Sequence, residues 1–316
     1  MLDIIVILGP TAVGKTELSI RLAEKFKGEI VSADSRLLYR GMDIGTAKPS
    51  QTDRERVPHH LIDVSPPSES WSVARFVHEA GGIIDQIQRR KNLPFLVGGS
   101  GQYITALLEG WSPPPQPKNR QLRAQFEKVG REQGRAILHQ QLAQVDPVSA
   151  ERIQATNQRR VIRALEIYHS TGIPASQQRN NKPPGYRILR IGLRLARKAL
   201  YTRIDRRIDQ MMANGFEDEV RALVNQGFDL ELPAMSAIGY KQIGMAISGK
   251  ISFEEAIKQI QKLTRQFVRR QDNWFKETDP EIHWFDVRGE LVAATSVLIR
   301  EFLEGEEEED GITSIR

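Results

Sequence analysis

Ile4-Ile5-Val6-Ile7-Leu8-Gly9-Pro10-Thr11-Ala12-Val13-Gly14-Lys15-Thr16 decides the fold. Five consecutive apolar residues predict a short strand buried on both faces, as in a parallel sheet. Leu18, Leu22, Ala23 and Phe26 then recur at helical spacing. Between strand and helix lies G-x-x-x-x-G-K-T, a phosphate loop in its strand–loop–helix context. Gly9 and Gly14 let the backbone aim its N–H groups inward, and the helix start adds partial positive charge. Lys15 supplies a point charge for terminal phosphates, and Thr16 a hydroxyl for Mg²⁺. The reading is a di- or triphosphate site built from Gly9, Pro10, Thr11, Ala12, Val13, Gly14, Lys15 and Thr16. The competing reading is an ordinary glycine turn.

Outward from this loop, strand and helix alternate as a parallel α/β sheet requires. Strands are predicted at 29–32, 60–64, 94–97, 187–195 and 283–287. Helices are predicted at 72–91, 102–109, 197–213, 216–226, 237–248, 253–276 and 290–303. Trp111-Ser-Pro-Pro-Pro-Gln-Pro117 is too proline-rich for a helix or sheet interior. A second break follows at 180–185, and the arginine-rich stretch between the breaks reads as three helices, 119–131, 133–144 and 157–171. The fold class is therefore α/β: a P-loop NTPase-like parallel sheet flanked by helices, over 1–114 and 186–304. An all-helical domain is inserted at 115–185, and an acidic, disordered tail follows at 305–316.

Composition narrows the chemistry. The 316 residues include no cysteine, which excludes disulfides, thiolate metal sites and a cysteine nucleophile. No apolar run is long enough to span a bilayer, and the N-terminus lacks a basic leader, so a cytoplasmic protein without a membrane partner is expected. The net charge of +5 hides an asymmetry: residues 304–310 hold six of the 40 acids, leaving 45 bases against 34 acids elsewhere, a net +11. Such an excess favours a polyanionic partner.

Asp34 ends a predicted strand at the edge where the phosphate loop opens, so it can take a proton from a nucleophile or support Mg²⁺; it can equally cap a turn. Gly98-Gly99-Ser100-Gly101 ends another strand there, and its glycines permit close backbone approach to a ligand. Arg203, Arg206 and Arg207 share a helical face and suit a diphosphate, although Asp205 and Asp209 also fit a salt-bridged surface helix. On the predicted helix 253–276, Phe253, Ile257, Ile260, Phe267 and Trp274 form an apolar face. Lys258, Lys262, Arg265, Arg269 and Lys276 form a basic stripe. Arginines mixed with aromatic and amide groups at its end suit unstacked RNA bases.

Taken together, the motifs resemble the tRNA dimethylallyltransferase (tRNA isopentenyltransferase) family over nearly the whole chain. They run in order: the phosphate loop at 9–16, Ser-Ala-Asp-Ser at 32–35, Tyr-Arg-Gly-Met-Asp-Ile-Gly-Thr-Ala-Lys-Pro at 39–49, and Pro-His-His-Leu-Ile-Asp at 58–63. Val-Gly-Gly-Ser-Gly at 97–101, Ala-Ile-Gly-Tyr-Lys-Gln at 237–242 and Thr-Arg-Gln-Phe-Val-Arg-Arg-Gln at 264–271 complete the set. Without a cysteine–histidine zinc finger, the chain is similar to the short bacterial or organellar type.

The resemblance implies transfer of a dimethylallyl group from its diphosphate to the exocyclic amine of an adenosine beside the tRNA anticodon, with Mg²⁺. It implies Asp34 as general base, with Thr11 and Arg207 in the catalytic set. Arg203 joins the phosphate loop on the diphosphate, and Thr16 serves the metal. For tRNA it implies Asp34, Ser35, Arg36, Leu37 and Ser100; Gln158, Arg159 and Arg160; Gly239, Tyr240 and Lys241; and Arg269, Arg270, Gln271, Trp274 and Lys276. The helical insertion is expected to embrace the anticodon stem, and the enzyme to act as a monomer. The alternative is an ATP-dependent P-loop kinase of small molecules.

Overall fold

The computed structural model describes residues 2–111, 120–178 and 181–305. It falls into two compact units, one running to Leu107 and resuming at Gly185, the other Leu108–Pro184. The first begins with β1 (Leu2–Leu8), α1 (Lys15–Lys25), β2 (Gly28–Ser32), α2 (Gln51–Arg56) and β3 (His59–His60). Then come α3 (Val73–Arg89), β4 (Leu93–Gly98) and α4 (Gly101–Leu108). The second unit holds α5 (Arg120–Glu132), α6 (Arg135–Val145), α7 (Pro147–Arg152) and α8 (Gln158–Thr171). The chain returns through β5 (Tyr186–Arg194), α9 (Arg197–Ala213) and α10 (Phe216–Asn225). A 3-10 turn (Ala234–Ser236), α11 (Tyr240–Ile247), α12 (Phe253–Asp272), β6 (Ile282–Asp286) and α13 (Leu291–Glu304) follow.

All six strands are parallel, in the order β3-β2-β4-β1-β5-β6. Ile4, Ile5, Val6 and Ile7 are completely buried, which is why β1 carries no polar alternation. The register pairs Leu8 with both Gly98 and Gly192, and Ser32 with Val97, so the loops after β1, β2 and β4 leave the same edge. That edge, beside the central strand, is where open α/β sheets bind ligands.

The second unit has its own core around Phe126, Leu138, Leu142, Val161 and Leu165. Buried Asp146 caps α7 through Ser149 N–H (3.0 Å) and also accepts from the Ser176 hydroxyl (2.6 Å). Residues 112–119, which include most of the first proline break, residues 179 and 180, the latter opening the second break, and residues 306–316 of the acidic tail lie outside the described residues.

Several elements differ from expectation. The strand predicted at 60–64 is only His59–His60, because Leu61 and Asp63 take positive φ angles of 60° and 57° and Asp63 turns toward Arg54 (2.7 Å). The helix predicted at 237–248 begins at Tyr240, since Gly239 (φ 108°) breaks it from the 3-10 turn. The long helix stops at Asp272, where the N–H groups of Trp274 and Phe275 both fold back onto the Gln271 carbonyl. Its buried residues are Ala256, Ile260, Val268 and Gln271; of the predicted apolar face Ile260 is buried, Phe253, Ile257 and Phe267 are half-buried, and Trp274 is exposed. Helices α2 and α7 were not expected, although Ser50-x-x-Asp53 is a capping box and Asp146-Pro147 a cap followed by proline at the first helical position.

Candidate active site

The phosphate loop forms a concave turn, with Gly9, Ala12 and Gly14 at φ 144°, 63° and 110°. Alternating handedness of this kind points successive N–H groups into one hollow. Gly9 is also required by packing: a Cβ there would lie 2.5 Å from the Leu193 carbonyl of β5. No side chain caps α1, so the amides of its first turn face the hollow as an anion would need. Lys15 folds back over the loop, its ammonium donating to Gly9 O (3.0 Å) and Pro10 O (2.7 Å). Burial pushes this ammonium down to about 8; Asp34 works against the shift and Arg207 adds to it.

Asp34 follows β2. Its Oδ1 accepts the Arg36 N–H (2.9 Å), closing a local turn. The next loop is bound to it: Ser35 N–H donates to Ser100 Oγ (3.2 Å), and Ser100 N–H to Ala33 O (3.3 Å). Gly98 makes this approach possible, since a Cβ there would fall 2.2 Å from Ala33 O. Buried Gln271 of α12 joins the third loop, accepting from Thr11 N–H (3.0 Å) and donating to Gly99 O (2.9 Å). Thr11 therefore has its hydroxyl, and not its amide, for a ligand.

The arginines of α9 do not form a simple surface ladder. Arg203 reaches Val13 O of the phosphate loop (3.2 Å) and Arg207 reaches Thr46 O (3.5 Å), while Asp205 pairs instead with Arg265 of α12 (2.6 Å). Burial pulls the Arg207 guanidinium below its ordinary range, and the charge of Asp34 opposes that shift. Arg207, Lys15 and Asp34 thus form one electrostatic cluster.

Thr46 belongs to the 39–49 segment, which is held from two sides. Lys48 is enclosed between Asp43 and Asp63 and donates to Tyr39 O (2.9 Å). Glu219 of α10 accepts the N–H groups of Asp43 (2.8 Å), Ile44 (2.7 Å) and Gly45 (3.1 Å). A cavity of about 590 Å³ opens beside this segment, lined by Ile44, Lys48, Arg54, Arg207, Met211 and Asn214 among others.

The residues assigned to tRNA divide by exposure. Arg269, Arg270, Trp274 and Lys276 are exposed around the end of α12. Arg159 and Arg160 are exposed, with Gln158 half-buried, on the first turn of α8 in the second unit. Arg36 is committed to Pro233 O (2.8 Å) and Ser236 Oγ (3.1 Å), and Lys241 to Glu231 (2.6 Å). Leu37 is half-buried and accepts Asp63 N–H at its carbonyl (3.1 Å).

Three of the residues assigned to tRNA face inward. The Tyr240 side chain is fully buried, with its hydroxyl on Glu219 (2.6 Å). Gly239 lies beneath the Phe216 ring, 2.7 Å from where a Cβ would stand. Gln271 has both amide ends inside the protein. None of the three presents its side-chain position to an RNA strand. The basic stripe also shrinks, because Arg265 is spent on Asp205 and Lys258 on Glu254 (2.7 Å). Glu219 and the staple role of Gln271 were missed; the one available signal was a glutamine in the apolar register of α12.

A parallel sheet with a phosphate loop, two arginines and a carboxylate gathered at one edge defines a P-loop α/β transferase. The family model described as IPP transferase matches residues 37–278. The tRNA dimethylallyltransferase of Roseiflexus sp. (strain RS-1) is 49% identical over 276 residues, 87% of this chain and 90% of that one. The full-length tRNA isopentenylpyrophosphate transferase of Bacillus halodurans is 38% identical with a TM-score of 0.73, covering 98% of this chain and 100% of that one. A eukaryotic dimethylallyltransferase acting on tRNA is 27% identical with a TM-score of 0.79, covering 96% and 80%. The chain belongs to the tRNA dimethylallyltransferase family of IPP transferases. This membership sets aside the small-molecule kinase. Among the described residues, no helix is long and apolar enough to cross a membrane.

Proposed function

We propose that the protein transfers a dimethylallyl group from dimethylallyl diphosphate to N6 of the adenosine 3′-adjacent to the tRNA anticodon, releasing diphosphate. The observation that carries this reading is the one sheet edge where the loops after β1 and β2 bring out Lys15 and Asp34 and Arg203 reaches Val13 O, with cations for a leaving group beside a base for a nucleophile. The C1–O bond of the donor breaks with its electron pair going to diphosphate, the N6–C1 bond forms, and the N6 proton passes to Asp34. An exocyclic adenine amine is a weak nucleophile, so loss of its proton to a positioned carboxylate matters. Loop amides, the Thr11 hydroxyl, Lys15, Arg203 and Arg207 neutralise charge growing on the leaving oxygen. With a diphosphate present, Lys15 exchanges Gly9 O and Pro10 O for phosphate oxygens.

Mg²⁺ suits such a site, because it is held by one or two protein oxygens together with substrate phosphates and water. Among the described residues there is no cluster of three or more His, Cys, Asp or Glu able to cage a metal. Exposed Thr16, on the first turn of α1, is the hydroxyl that would hold the ion, which adds charge neutralisation on the leaving diphosphate. On the first unit Arg269, Arg270, Lys276 and Trp274 supply phosphate neutralisation and stacking for the anticodon stem-loop, and on the helical unit Gln158, Arg159 and Arg160 supply tRNA contacts of their own. Extruding the target base costs a few kcal/mol, and stacking at about 1–3 kcal/mol per base offsets it. On this reading the enzyme works as a cytoplasmic monomer.

Purified protein with Mg²⁺, labelled dimethylallyl diphosphate and unmodified tRNA should move label into the tRNA. Consumption of labelled ATP with no tRNA product would overturn the proposal.

A further inference from the structure

We infer that Gln271 is a positioning residue, fixing the distance between the leaving-group loop and the acceptor-side loops; this rests on the transfer reading above. Gln271 is 4% exposed, and its one amide plane binds two loops remote in sequence. Oε1 accepts from Thr11 N–H at 3.0 Å, and Nε2 donates to Gly99 O at 2.9 Å. The amide orientation is unambiguous, because a backbone N–H only donates and a carbonyl only accepts. Gly99 is shaped to this contact: a Cβ there would stand 2.2 Å from Gln271 Nε2.

From Gly99 the chain of contacts runs on to the base. Ser100 Oγ accepts from Ser35 N–H, and Ser100 N–H donates to Ala33 O, clasping Asp34 between its two neighbours. Gln271 therefore joins the loop that would hold diphosphate to the loop that would deprotonate the acceptor. It also lies between exposed Arg270 and Trp274, whose ring covers Gly101 at the start of α4. RNA bound at the end of α12 would thereby be referenced to the same frame. Only a residue offering an acceptor and a donor from one rigid group completes this link.

The substitution Q271E separates positioning from RNA contact. An ionised glutamate turns a second acceptor toward Gly99 O, whereas a protonated one reproduces the donor–acceptor pair of glutamine. At pH 8, with both substrates saturating, kcat of Q271E should fall by up to about 10²-fold, the scale of an ångström misplacement. The tRNA dissociation constant should stay within about threefold, and relative kcat should recover as pH falls toward 5.5. Q271M, which has neither group, should lose kcat without that recovery.

If either variant fails to fold by circular dichroism, G99A pushes the same contact apart and should also lower kcat at unchanged tRNA affinity. Unchanged kcat in folded variants, or a loss confined to the KM of either substrate or to tRNA affinity, would overturn the inference. Absence of transfer by the unsubstituted enzyme in the same assay overturns the proposed function itself.

Discussion

Glu219 offers a prediction whose size follows from its surroundings. Its Oε2 accepts Asp43 N–H (2.8 Å) and Ile44 N–H (2.7 Å), while Oε1 accepts Gly45 N–H (3.1 Å) and Tyr240 O–H (2.6 Å). Four donors fill the roughly four lone-pair sites of a carboxylate. In E219A the buried Tyr240 hydroxyl is left without its partner, a cost of about 1–3 kcal/mol. Three backbone donors lose charge-assisted bonds worth about 1.5–3 kcal/mol each, much of which water restores at this partly exposed loop. The expected total is about 4 kcal/mol, and urea unfolding followed by circular dichroism should show it as a lower midpoint. Because the loop carries Thr46 O to Arg207, activity at permissive temperature should fall as well. Adding Y240F to E219A should recover part of the loss, since the stranded hydroxyl is then gone. A stability change in E219A below about 0.5 kcal/mol, the size of an ordinary surface substitution, would refute the anchoring role.

Three further outcomes are expected. D34N should reduce single-turnover transfer by about 10²–10⁴-fold, far more than it lowers tRNA affinity measured by filter binding; equal loss of affinity with surviving turnover would make Asp34 a binding residue only. Because burial, opposed by Asp34 and aided by Arg207, brings Lys15 to about 8, kcat/KM for the diphosphate donor should decline as pH rises through 8. K15M should lack that limb, and a flat wild-type profile to pH 9.5 would count against a titrating Lys15. Burial alone would raise the Glu29 carboxyl, but hydrogen bonds from Arg90, Asn92 and His60 hold it at about 2, against 4.5 ordinarily. Its stabilisation is complete above 4.5 and is lost as pH falls toward 2, so E29Q should flatten the acid limb of stability measured by urea midpoints.

The features read correctly from sequence were local ones. The run Ile4–Leu8, the turn at 9–14 and the apolar period from Leu18 to Phe26 lie within one strand–loop–helix unit, so nothing distant competes with their pattern. Gly98-Gly99-Ser100 was placed at the right edge because a buried strand runs directly into it. Residues fixed by remote partners were not legible. Gln271 bonds across 260 and 172 residues, and the backbone donors to Glu219 lie about 175 positions away, so no local spacing names their partners, although the place of Gln271 in the apolar register of α12 marks it as facing inward. Tyr240 was assigned to tRNA through the resemblance of the 237–242 motif to the family. Its burial follows from the edge-to-face packing against Phe216 (5.1 Å between ring centres), which no local window contains.

The position of β1 between β4 and β5 has a consequence for synthesis on the ribosome. Its first neighbour ends at Gly98, but the second begins at Tyr186, after the whole helical unit has been made. At about 5–20 residues per second, the roughly ninety intervening residues keep one side of β1 unpaired for about 5–20 s. The waiting strand is an Ile-Ile-Val-Ile segment with open backbone groups, the kind of template on which nascent chains stick together. The helical unit, whose core is formed entirely from its own residues, can fold during this interval. Translation speed across residues 108–184 should therefore govern the yield of native protein more than speed anywhere else in the chain.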